Sequence, residues 1–277
     1  SWYRRQRQMC IRDRLSNLGA KCGFIGKVKD DRAGKQFKRS MEGLNIIFET
    51  PPNTEGEPTA KCLIFVTPDA QRSMNTFLGA STELRPSDIS KDFIGRSKIL
   101  YLEGYLWDPP NAKKAFLEAI NIAKAADTKV ALSLSDAFCV DRYRSEFLDL
   151  VRTHVDILFG NEIELLSLYQ TKNLNEAIGL VQDDCEIVAV TRDSRGSIVI
   201  ENRRVFEIAA QKIDTVTDTT GAGDLYASGF LYGITRDMDI RQCGKLGGLV
   251  ASSIITQFGA RPEESLMPLI DRVAVSN

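Results

Sequence analysis

The stretch KILYLEGYLWDPPNAKKAFLEAINIAKAADTKVALSL, residues 98–134, decides the architecture. Ile99 to Leu102 is a short run of strand-forming residues. After Pro109-Pro110 the apolar positions Ala112, Ala115, Phe116, Ala119, Ile120, Ala123 and Ala126 recur at helical spacing, and Val130 to Leu134 is strand-like again. A strand, a helix with one apolar face and a second strand in direct succession form a βαβ unit. The rhythm continues downstream: Tyr143 to Val151 reads as helix, Val155 to Phe159 as strand, Glu162 to Leu168 as helix and Ile187 to Val190 as strand. Such alternation builds a mostly parallel sheet covered by helices on both faces.

Residues 44–79 differ in character. Leu44 to Phe48, Cys62 to Thr67 and Ser73 to Leu78 read as antiparallel strands, the last two flanking a Pro68-Asp69-Ala70-Gln71 turn. The piece is too short and too β-rich to extend the parallel sheet, so it is expected to form a small lid. The final third returns to helix, near residues 222–234, 239–257 and 263–274.

Composition narrows the function classes. With 277 residues, 43% of them hydrophobic, the chain can bury a full core. No apolar run approaches the roughly 18 residues of a membrane span, so a cytoplasmic location is expected. The six cysteines contain no CxxC pair, which suits reduced, structural thiols. The single histidine, His154, excludes multi-histidine metal sites and sits at a helix-to-strand junction, an ordinary place for a structural side chain. A net charge of −1 gives nucleic-acid binding no global support, although residues 1–39 hold twelve Lys/Arg against three Asp/Glu.

The segment richest in chemistry is Asp218-Thr219-Thr220-Gly221-Ala222-Gly223-Asp224, leading into the apolar Leu225, Phe230 and Leu231. Two glycines at a helix start let backbone approach a ligand, while the unpaired amides of the first turn and the helix dipole present positive potential. A resting phosphate would repel a carboxylate placed there. Asp224 therefore makes better sense as a group that takes a proton beside a reacting phosphoryl. The plainer alternative is a glycine-rich helix start with Asp224 compensating the dipole. Neither a GxxxxGK[ST] loop nor a complete dinucleotide fingerprint is present, since Tyr226 stands where the third glycine would fall.

This segment, followed by Ser228-Gly229-Phe230, resembles the C-terminal motif of the PfkB carbohydrate kinase family. Gly23-Phe24-Ile25-Gly26-Lys27-Val28 with Asp30-Asp31 and Gly34 resembles the family's early strand and turn, and Asn161-Glu162-Ile163-Glu164 resembles its Asn-x-x-Glu element. Leu102-Glu103-Gly104-Tyr105 and Asp136 to Val140 look most like the adenosine kinase branch. The resemblance covers residues 15–277. It implies a ribokinase-like three-layer α/β sandwich with a mostly parallel central sheet and a small β-sheet lid: residues 15–43 and 80–277 as the large nucleotide-binding and catalytic domain, 44–79 as the lid.

By the same resemblance, Asp224 is the catalytic base, and the amides of Gly221, Ala222 and Gly223 form the hole for the transferred phosphoryl. Asn161 and Glu164 organise Mg²⁺ on ATP, Glu164 acting through water. For these two the plain alternative is helix capping by Asn161 with Glu164 at the surface. Thr191, Arg192, Gly196 and Thr219 contact the nucleotide, although Asp193 stands where a glycine is common. Asp218 and Gly259-Ala260-Arg261 lie where relatives build a monovalent-cation site, so K⁺ is a candidate cofactor beside ATP and Mg²⁺.

The implied reaction is phosphoryl transfer from ATP to a hydroxyl of a small nucleoside or sugar, adenosine first, with a ribokinase- or fructokinase-like sugar kinase as the alternative. No nucleic-acid or membrane partner is expected, and the chain would be a monomer or a homodimer through the lid. The family normally opens with a strand, a substrate-binding Asp and a Gly-Gly motif before a Leu-Gly pair like Leu18-Gly19. Residues 1–14 match none of this and read as a foreign or disordered segment on a truncated chain, which leaves a non-catalytic nucleotide-binding remnant as a third reading.

Overall fold

A computed structural model describes residues 8–67, 72–213, 215–217, 219, 221–256 and 265–274. In chain order the elements are α1 (Gln8–Asn17), α2 (Arg32–Glu42), β1 (Lys61–Val66), β2 (Arg72–Phe77), α3 (Lys91–Gly95), β3 (Ile99–Glu103), α4 (Pro110–Ala125), β4 (Lys129–Ser133), α5 (Ala137–Thr153), β5 (Ile157–Asn161), α6 (Glu162–Tyr169), α7 (Leu174–Asp184), β6 (Ile187–Thr191), β7 (Ser197–Glu201), β8 (Arg204–Ile208), α8 (Ala222–Thr235), α9 (Ile240–Ile255) and α10 (Pro268–Ala274). They fall into two compact units, residues 85–210 and residues 1–84 with 211–277.

The 85–210 unit is built on a six-stranded sheet of order β3-β4-β5-β6-β7-β8. β3 to β6 run parallel, as the βαβ rhythm requires, and β7 and β8 complete the sheet as antiparallel strands. Val130, Ala131, Leu132, Ile157, Leu158, Val188 and Val190 are almost wholly buried, each larger side chain contributing roughly 1.5–3 kcal/mol of transfer free energy. α4 packs on β3 and β4, α6 on β5 and β6, and α7 on β6. Because strand order follows chain order, the carboxyl ends of β3 to β6 line up along one edge, each followed by a loop or helix start.

In the other unit α8 packs against α9 and α1. Their shared core includes Leu18, Leu225, Tyr232, Leu246, Val250 and Leu266. The two long helices cross with their backbones in contact: a methyl on Gly229 would lie 2.8 Å from the Leu246 carbonyl oxygen, and one on Gly247 2.8 Å from that of Tyr226. α8 is thereby held firmly, and its first turn carries Asp224. The boundary drawn at residue 14 falls inside α1, where Ile11 and Asp13 are buried.

Two local readings need correction. Leu44 to Phe48 is not a strand. The chain there closes the end of α2, with Asn45 left-handed at φ +53 and its amide bonded to the Glu42 carbonyl, and only Ile47 makes a bridge, a parallel one to Gly23. The antiparallel pair is β1 with β2, in the register Cys62↔Thr76 and Leu63↔Asn75, and the turn at residues 68–71 lies outside the described residues. Secondly, the helix read from Tyr143 begins six residues earlier. The Asp136 carboxylate accepts from the Phe138 amide at 2.7 Å and caps α5, which breaks at Tyr143 with φ −121° and ψ 26°.

Candidate active site

Asn161 ends β5 and opens α6, directly beside Thr191 in the parallel register of β5 with β6. Asn161 and Glu164 form a reciprocal cap. The Asn161 side-chain oxygen accepts from the Glu164 amide at 2.8 Å, while the Asn161 amide donates to Glu164 Oε2 at 3.0 Å and its Nδ2 to Oε1 at 2.9 Å. Capping by Asn161 is therefore real, but Glu164 is not a surface residue: it is 8% exposed. A buried carboxylate gripped on both oxygens keeps a fixed orientation and retains lone pairs that can hold water.

The β6–β7 turn is a hairpin end with specialised geometry. The Arg192 amide donates to the Gly196 carbonyl at 2.8 Å, and Gly196 has φ +84° with a backbone so close that a methyl would lie 2.0 Å from the Ile208 carbonyl oxygen. Asp193, the departure from the family glycine, takes the left-handed conformation at φ +49°, which Asp tolerates better than most residues, and is exposed. Arg192 Nη2 donates to Glu207 Oε2 at 3.3 Å, whereas its Nε is buried with no acceptor among the described residues. Such a donor is one that a ligand oxygen can complete. Arg195 pairs with Glu162, tying this turn to the start of α6.

At the start of α8, Gly221 is the N-cap residue at φ +80°, ψ 8°, a left-handed conformation that favours glycine. Ala222, Gly223 and Asp224 are the first three helical residues, whose amides have no carbonyl one turn back to bond within the helix. Of the three amides expected to form the anion hole, that of Ala222 donates to the Thr219 carbonyl at 3.2 Å. Gly223 is exposed, and among the described residues a methyl there would meet no atom within 4 Å beyond its own helical turn. Asp224 is half-buried, with Oδ2 withdrawn from solvent. Thr219 is exposed. Asp218, Thr220 and the Gly259 to Arg261 turn lie outside the described residues.

The carboxyl ends of β3 and β4 hold residues whose role the sequence did not announce. Glu103 is buried and accepts from Ser135 Oγ at 3.0 Å, and Ser135 Oγ accepts in turn from the Gly104 amide at 2.8 Å. Just beyond, Phe138 stands 80% exposed on the first turn of α5. A phenylalanine two residues after a helix-capping Asp was the available signal. His154 caps the other end of α5, as a structural residue at a helix-to-strand junction would. Burial pushes the thiols of Cys22 and Cys185 up to about 12 and that of Cys139 to about 11, in keeping with structural cysteines.

Compared with known proteins, residues 10–266 match the pfkB family of carbohydrate kinases. The chain belongs to the PfkB family. Its fold is the ribokinase-like α/β fold of that family, and the protein is a sugar or nucleoside kinase, a phosphotransferase with a hydroxyl acceptor. Among solved structures, a probable sugar kinase protein from Rhizobium etli CFN 42 is 44% identical, with a TM-score of 0.93 over 97% of this chain and 82% of that one. An adenosine kinase from Sinorhizobium meliloti is also 44% identical, with a TM-score of 0.92 over 96% and 82%. A 5-dehydro-2-deoxygluconokinase from Listeria monocytogenes is 28% identical over 93% of this chain and 81% of its own.

Membership of this kinase family implies use of ATP and Mg²⁺. Within the 85–210 unit the residues present suit that pair: the buried Arg192 Nε can meet a phosphate oxygen, and Glu164 offers a fixed carboxylate for a hydrated divalent ion. Among the described residues, no helix is long and apolar enough to cross a membrane.

Proposed function

We propose that this PfkB kinase phosphorylates a primary hydroxyl on the ribose of a nucleoside, with adenosine the first candidate, and that Asp224 accepts the proton of that hydroxyl. The observation that carries the reading is the start of α8. A left-handed Gly221 launches the helix, Gly223 leaves open space, and the Asp224 carboxylate sits on the same first turn with one oxygen shielded from water. The amides of Gly221 and Gly223, with that of Ala222 once released from Thr219, stabilise negative charge at the transferred group. Thr191, Arg192, Gly196 and Thr219 hold the nucleotide, and Asn161 and Glu164 orient water on its metal. Mg-ATP, when bound, supplies the phosphoryl group and screens its charge; positioning and charge stabilisation are the protein's share of the work.

Two observations favour a nucleoside: the 44% likeness to the Sinorhizobium meliloti adenosine kinase, and the exposed ring of Phe138 just past the carboxyl end of β4, an aromatic surface suited to a flat base. The likeness to a 5-dehydro-2-deoxygluconokinase favours a sugar acid instead. A panel of nucleosides, free sugars and 5-dehydro-2-deoxygluconate, assayed for ADP release with Mg-ATP, separates them. Adenosine as the best acceptor by kcat/KM is the expected result. A sugar preferred by tenfold or more would overturn the nucleoside reading, and ATP binding without acceptor-dependent ADP release would overturn the assignment of Asp224 as a working base.

A further inference from the structure

The break in α5 divides it into parts held in different ways. Beyond Tyr143 the helix is anchored by Phe147, Leu150 and Val151, all buried. Ahead of it, in the six residues Ala137 to Arg142, only Val140 is buried and Phe138 faces solvent. Apolar packing therefore does little to fix this front segment. It is tied instead to the loop after β3. Cys139 Sγ donates to the Gly104 carbonyl at 3.4 Å, and the Tyr105 hydroxyl donates to the Ser135 carbonyl at 2.9 Å just before the segment. The strongest tie lies at the break itself, where a single oxygen, Asp108 Oδ1, accepts from the Tyr143 hydroxyl at 2.6 Å and from Arg142 Nη1 at 2.7 Å. The Tyr143 bond, with Arg142 beside it, holds the Asp108 carboxyl below its ordinary range even though burial acts the other way.

We propose that Asp108 is a positioning residue for the acceptor: through Tyr143 and Arg142 it latches the front segment of α5 to the β3 loop and so sets where Phe138 stands. This rests on the reading that Phe138 faces the acceptor. The latch acts through ordering. Without it the front segment samples several orientations, and the acceptor must select the competent one, which weakens apparent affinity without touching the chemical step. The two bonds are charge-assisted and share one acceptor, so removing Asp108 releases both at once.

The test pairs hydrogen exchange of the ligand-free protein with steady-state kinetics on wild type, Asp108→Ala, Asp108→Asn and Tyr143→Phe. For Asp108→Ala the expected result is about tenfold faster exchange confined to residues 137–143 and about a tenfold rise in acceptor KM, with kcat and KM for ATP within about twofold of wild type. Asp108→Asn, which keeps an accepting oxygen, should recover most of both effects, and Tyr143→Phe should show part of each. Unchanged exchange at 137–143 in Asp108→Ala would overturn the latch. Faster exchange with unchanged acceptor KM would overturn its role in binding. A wild-type protein that phosphorylates no acceptor would sink the kinase reading alone, and exchange would still decide the latch.

Discussion

Asn161 and Glu164 satisfy each other through three hydrogen bonds, so the residue that ends β5 and the buried carboxylate on the first turn of α6 form one rigid unit. A pair of this kind can serve folding, function or both, and substitutions separate the two. Asn161→Ala removes the cap and should cost about 1 kcal/mol in urea denaturation. Glu164→Gln keeps much of the bonding but lowers the charge, so it should leave stability nearly unchanged while raising the Mg²⁺ concentration needed for half-maximal rate about tenfold. An unaltered Mg²⁺ requirement would reduce the pair to a cap.

Gly223 allows a cleaner separation. Among the described residues a methyl there meets no atom within 4 Å beyond its own helical turn, so their packing does not demand glycine at this helical position. Gly223→Ala should hold stability constant or raise it by up to about 1 kcal/mol, through helix propensity. If the open space admits the transferred phosphoryl, the same methyl should cut turnover by at least about tenfold. Thermal melting and kcat measured on one preparation check both halves, and a stable variant with wild-type turnover would argue against an anion at this helix start.

Asp31 predicts part of the acid limb of stability. Its carboxylate caps α2 through the Gly34 amide at 2.7 Å and accepts from the Thr59 amide at 2.9 Å and the Thr59 hydroxyl at 2.8 Å. Burial pushes its pKa up, but these bonds together with Lys61 outweigh it and hold the group below its ordinary value. The unfolded chain then takes up the proton first as pH falls from about 4. The contribution of Asp31 is present in full above that value and is lost as pH drops through the depressed folded pKa. Urea midpoints followed down from about pH 6 should fall less steeply for Asp31→Asn than for wild type; parallel acid limbs would contradict this.

The parallel half of the sheet was legible in the sequence because strand and helix periods alternate cleanly from Ile99 to Val190, and a strand buried on both faces tolerates little besides branched apolar residues. The β7–β8 hairpin was not read, although Ser197 to Glu201 and Arg204 to Ile208 flank a turn whose Asn202 and Arg203 both have positive φ, at 49° and 63°. An arginine there conceals a turn that glycine would have signalled. The start of α5 was missed because, of the residues before its break at Tyr143, only Val140 is buried while the apolar Phe138 faces solvent, so no continuous apolar face marks the helix until Phe147. In the candidate site, the positions of Asp224 at a helix start and of Asn161 and Thr191 at strand ends were legible because backbone geometry constrains their neighbours. The pairing of Glu103 with Ser135 was not, since it joins segments about thirty residues apart, which no local spacing encodes.

The central claim is that Asp224 removes the acceptor proton. Turnover of Asp224→Asn at saturating Mg-ATP and acceptor tests it most directly, because the amide keeps the shape and cannot take the proton. A loss of about 10²-fold to 10⁴-fold in kcat is predicted, with KM for ATP within about threefold of wild type. A variant that turns over at close to the wild-type rate would contradict it.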